Sequence, residues 1–68
     1  MSNEDIIIKL KKEQKDLGEN LKKLNEFLEK DDVHKVVNNR FHITLLFEQR
    51  DIMNKYHQIL SSRILLLD

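Results

Sequence analysis

The chain runs for 68 residues with no proline and a single glycine, Gly18, so almost nothing in it interrupts a helix. Against that background apolar residues recur at Ile7, Leu10, Leu17, Leu21, Leu24 and Leu28, in steps of three, four and seven. This is a heptad seam in which Gln14 is the one polar member. Lys11, Lys12, Lys15, Glu19, Lys22, Glu26 and Glu29 fall on the opposite face. Ser2 is suited to cap the start, with Asp5 three positions on in a variant of the capping box. The pattern predicts one amphipathic helix over residues 3–30, about 42 Å long at 1.5 Å per residue.

Asp31 and Asp32 end that pattern, and either can cap a short new turn in which Val33, Val36 and Val37 are apolar. Asn38 and Asn39 tolerate left-handed backbone and suit a tight connection. A second helix is predicted over about residues 40–66. It carries two neighbouring stripes, one of Leu45, Ile52, Ile59 and Leu66, the other of Leu46, Met53, Leu60 and Leu67. Phe41, Phe47, Tyr56 and Ile64 widen the face further. One partner helix covers an arc of about 100°, so a lone hairpin would leave an apolar strip in water. The expected fold is therefore all-α. Two long antiparallel helices, at about 3–30 and 40–66, are joined by a short helical turn in a single domain over residues 1–68. That domain assembles as a homo-oligomer, mainly through its second helix.

Size and composition point the same way. A chain of about 60 residues buries only roughly 60% of its unfolded surface, and small folds normally add disulfides, a metal or a partner. With no cysteine, disulfides and thiolate metal sites are both ruled out, which leaves association. Twelve basic residues balance twelve acidic ones, so the chain lacks the basic excess of a general DNA- or RNA-polymer coat. The longest apolar runs, Ile6–Ile8 and Ile64–Leu67, fall far short of the ~20 residues that span a bilayer. The first residues are acidic where a secretory leader would be basic, so no membrane partner is expected and a cytosolic location is.

Catalytic constellations are missing. His34, His42 and His57 form no His-x-x-x-His pair, and His42 and His57 stand about 22 Å apart along one helix. They read as surface or boundary residues. Thr44, Ser61 and Ser62 lie within helical pattern, without a nucleophile-elbow context. Ser61 and Ser62 fit better as small residues at an oligomer contact. No metal, no cofactor and no enzymatic activity are expected. Gly18 costs about 1 kcal/mol relative to alanine within a helix. Either it drifts on a solvated face or it admits a close backbone or ligand, and both readings stand at this point. Lys22, Lys23, Lys55 and Arg63 are the phosphate-binding candidates, Arg63 foremost because it stands between Leu60 and Ile64 near the apolar face. An intersubunit salt bridge would explain Arg63 equally well, and helix-surface pairing with Glu19 would explain the two lysines. Tyr56 is either a core residue or a stacking platform for a base.

Two stretches carry more than periodicity. One is Lys23-Leu24-x-x-Phe27-Leu28, followed by Asp31 or Asp32 and Val33. The other is Gln49-x-x-x-Met53-x-x-Tyr56-x-x-Ile59-Leu60-x-x-Arg63-Ile64. Together, over roughly residues 13–65, they resemble the helical hairpin domain of phage anti-CBASS and Thoeris anti-defence sponges. The resemblance implies a non-enzymatic protein of the host cytoplasm. Its homo-oligomers, typically hexamers, would sequester cyclic dinucleotides, cyclic trinucleotides or cyclic ADP-ribose variants without cleaving them. It implies ligand contacts from Arg63 and Lys22, with Asn20, Lys23 and Tyr56 in support. Asn20 falls where the family places a pocket lysine, and it can donate a hydrogen bond but not neutralise a phosphate. The family's N-terminal stacking aromatic falls near Asp5 or Ile6, and no aromatic precedes Phe27. A different reading of the same apolar face is an adaptor or inhibitor that docks on a host protein.

Overall fold

The computed structural model describes residues 3–30 and 37–68. Helix α1 spans Asn3–Leu28 and α2 spans Arg40–Leu67, and they pack side by side as a hairpin. Both match the predicted spans to within two residues at each end. The capping and turn expectations for Ser2, Asp31, Asp32, Val33 and Val36, the short connecting turn itself and the environment of His34 lie outside the described residues.

Helix α1 turns Leu10, Leu21 and Leu28 fully inward, with Ile7, Gln14, Leu17 and Leu24 half-buried between them, which is the predicted heptad seam. All seven residues assigned to its opposite face are exposed. Glu4 and Asp5 occupy the first turn, where negative charge complements the helix dipole.

The start of α2 departs from expectation. Asn39 does not adopt left-handed backbone; at φ −157° and ψ 110° it is extended, and its side-chain carbonyl accepts the His42 backbone N–H at 3.0 Å. It is an N-cap, a role that asparagine fills because its short carbonyl reaches the third amide of the helix. Among the described residues no position has a positive φ. At the far end the Asp68 N–H closes the last turn on the Ile64 carbonyl at 3.0 Å.

Of the two stripes on α2, the hairpin uses one. Leu60 is completely buried, Ile43 is buried, and Leu46, Met53, Ile64 and Leu67 are half-buried against α1. The other stripe stays in water: Leu45 is 61% exposed, Ile52 70%, Ile59 47% and Leu66 86%. Adjacent residues point about 100° apart on a helix, so one flat partner cannot cover both rows. Phe41 is exposed as well.

The resulting shape is a rod of 49 × 15 × 15 Å with a radius of gyration of 15.4 Å, against about 11 Å for a compact domain of this length. Its accessible surface is 5606 Å², about 1,100 Å² more than the roughly 4,500 Å² of a compact monomer of this mass.

The middle of the seam is polar. The Gln14 side-chain amide donates to the Ser61 hydroxyl, which donates to the His57 carbonyl at 3.3 Å. One turn along, Gly18 faces the His57 imidazole, and a methyl group at Gly18 would stand 3.4 Å from Nε2 and 3.7 Å from Cδ2. The glycine therefore lies neither on a solvated face nor against another backbone. It makes a notch for a side chain of the same hairpin. His57 is a boundary residue, as expected, and Ser61 meets α1 of its own chain.

Candidate functional site

The five residues proposed from sequence are all solvent-exposed, and within one hairpin they fall into three separate grooves. Asn20 and Tyr56 share the first, a groove of about 430 Å³ along the joint between the helices. That volume lies at the low end of the range for small-molecule sites. Helix α1 supplies Lys9, Glu13, Asp16 and Asn20 at steps of four, three and four, so they line one edge beside the seam. Lys12 stands next to them, and Tyr56 leans in from α2 at 41% exposure. Sequence reasoning named Asn20 and Tyr56 but missed Lys9, Lys12 and Glu13. The four-three-four spacing that joins Lys9, Glu13 and Asp16 to Asn20 could have found Lys9 and Glu13, whereas Lys12 has no such signal.

The groove acts on the ionisation of the Tyr56 phenol. Hydrogen bonding to the Glu13 carboxylate raises the phenol above its ordinary value, and desolvation and the charge of Glu13 act in the same direction. The Arg63 cation pulls the other way. The phenol therefore stays protonated at neutral pH.

Lys22 and Lys23 lie in a second hollow of about 250 Å³ on the outer face of α1, flanked by Glu19 and Glu26. The two glutamates keep that hollow near neutral. Arg63 borders the third, about 320 Å³, where Ile6 meets Leu66 and Leu67 at the open end of the hairpin. Tyr56 and Arg63 are seven residues apart, so they share a helix edge about 10 Å apart. That edge runs between Ile52, Ile59 and Leu66, along the stripe that α1 leaves uncovered.

Among the described residues no three potential ligands cluster in a way that would hold a metal ion. No described helix is long and apolar enough to cross a membrane.

Comparison with known proteins adds one finding. No curated protein and no solved structure matches the chain. A family model, Sequestin, matches residues 4–66, which takes in all but the end residues Asn3 and Leu67 of the two helices and every groove residue but Leu67. Membership brings a sequestering function, one of binding. The hairpin and its matched length thus converge on one assignment: the chain belongs to the Sequestin family, the cyclic-nucleotide sponges of the anti-CBASS and Thoeris type.

Proposed function

We propose that the protein binds and sequesters cyclic oligonucleotide immune signals in the cytoplasm of the host, without cleaving them. The ligands are cyclic di- or trinucleotides or cyclic ADP-ribose variants, and the working unit is a homo-oligomer. The observation that carries this reading is the family match over nearly the whole chain. Two features of the hairpin support it. The excess surface of about 1,100 Å² is more than the roughly 800 Å² each partner contributes to a standard interface. In addition, the ligand-binding candidates sit along the uncovered stripe and on the outer face, divided among three shallow grooves.

Apolar burial favours covering the stripe with a second copy, since the same row of Leu45, Ile52, Ile59 and Leu66 is present on each chain. Grooves too shallow to enclose a cyclic nucleotide alone become closed sites when a neighbouring copy roofs them. In this arrangement Arg63 and Lys22 contact phosphates, and Asn20, Lys23 and Tyr56 complete the contacts. Stoichiometric capture then lowers the free signal below what its effector needs.

The test is sequestration and release. Purified protein is mixed with a panel of cyclic di- and trinucleotides and cyclic ADP-ribose isomers, the free ligand is filtered off, and the retained fraction is heated and assayed. Depletion followed by recovery of intact ligand is the expected result. Depletion without recovery would mean hydrolysis. No depletion across the panel would refute the reading and favour an adaptor that docks the stripe on a host protein. Arg63→Ala should weaken capture by about 1.5–3 kcal/mol if the guanidinium holds a phosphate. Unchanged affinity with altered assembly would make it an interface residue.

A further inference from the structure

The groove between the helices has a charge pattern that a bare phosphate site would not have. Lys9 and Lys12 bring two cations, but Glu13 and Asp16 bring two carboxylates within the same wall. Such a groove exerts little net pull on an anion. It matches a ligand that presents three things at once: an anionic group, an aromatic face and an edge of N–H donors. A purine nucleotide has all three.

The two carboxylates are not equivalent. Glu13 lines the same groove as Tyr56 and is the carboxylate that acts on its phenol, whereas Asp16 does not. A carboxylate has about four acceptor positions, so Glu13 can keep the phenol and still accept two further N–H groups. Guanine offers two such donors side by side, its N1–H and its 2-amino group. Adenine offers an amino group flanked by acceptor ring nitrogens, which a carboxylate repels. We infer that Glu13 is a specificity residue that selects guanine, stacked on Tyr56, with Lys9 and Lys12 taking the adjacent phosphate.

This inference rests on the sponge reading and deepens it, and one experiment separates the two. The full-length protein and its Glu13→Gln and Asp16→Asn variants are titrated with cyclic di-guanylate, cyclic guanylate–adenylate and cyclic di-adenylate. Tyr56 is the only tyrosine and the chain has no tryptophan, so intrinsic fluorescence reports on this groove alone once it is corrected for ligand absorption. Wild type should bind the di-guanylate at least about tenfold more tightly than the di-adenylate, with Tyr56 quenched. This is the size expected when a charge-assisted hydrogen bond is lost. Glu13→Gln should erase that preference, and Asp16→Asn should keep it. Glu13 is exposed, so far-UV circular dichroism should show the same helix content in all three proteins.

Equal affinity of wild type for both ligands, a preference that survives Glu13→Gln, or binding without a Tyr56 response would each overturn the inference. The sponge reading would survive those outcomes, because the signal would still be captured. A wild-type protein that binds no cyclic nucleotide would overturn both.

Discussion

Gly18→Ala should stabilise the hairpin, and the structure supplies both parts of the estimate. Within a helix interior alanine is favoured over glycine by about 1 kcal/mol, since glycine loses more backbone freedom on folding. The added methyl would meet the His57 ring at 3.4 and 3.7 Å, which is ordinary van der Waals contact, so packing subtracts little. The expected gain is about 1 kcal/mol, equivalent to roughly 4–8 °C in Tm for a domain this small. Urea unfolding followed by far-UV circular dichroism measures it, at one fixed protein concentration because the midpoint of any self-associating chain depends on concentration. Gly18→Leu serves as the size control. A leucine must displace the imidazole, and overpacking of that kind costs about 1–3 kcal/mol. Destabilisation by alanine would mean that the helices approach more closely than described. Equal stability for alanine and leucine would mean that His57 does not lie over the notch, and the account of the seam would fail.

Leu60→Ala removes the one side chain among the described residues with no exposed surface and should cost about 2–5 kcal/mol, read as a large drop in the urea midpoint. Ile52→Glu with Ile59→Glu should dissociate the assembly in light scattering yet leave the helix content of the hairpin intact, because both side chains are exposed within one chain. Loss of helix without dissociation would mean that the stripe packs within the hairpin. Tyr56 should titrate above its ordinary value, about pH 10, when phenolate absorbance is followed, and Glu13→Gln should bring it back down. A phenol raised in the folded chain adds stability that is complete below the unfolded value and is lost as pH climbs through the folded one.

The two helices were legible because the chain contains no proline and its apolar residues repeat in heptads. Which stripe of α2 faces α1 was not legible. Leu45, Ile52, Ile59 and Leu66 are as apolar as Leu46, Met53, Leu60 and Leu67, and the choice between them depends on contacts between helices. Residues of middling character, Ser61 and His57, turn out to belong to the inner face because Gln14 and Gly18 of α1 receive them. Ile43 was passed over although it is buried, since it lies three residues before Leu46 and so falls outside both heptad stripes. Asn39 was read for its tolerance of unusual backbone when its capping carbonyl is what counts. At the candidate site, side-chain chemistry and the family resemblance suggested residues but could not tell how one hairpin divides them. Distances between grooves are a property of packed helices.

The pairing of Gly18 with His57 also bears on alignment. Two helices built on plain heptads have a ladder of nearly equivalent alignments, each displaced by about 10 Å. This chain breaks the degeneracy with a single vacancy. Shifted by one heptad, the imidazole would meet Lys11 or Asn25, and the vacancy would face Arg50 or Ile64. Because the Glu13–Tyr56 groove draws on both helices, it exists in one alignment alone. A residue with no side chain thus acts as a fiducial mark, keeping that groove in frame from several ångströms away.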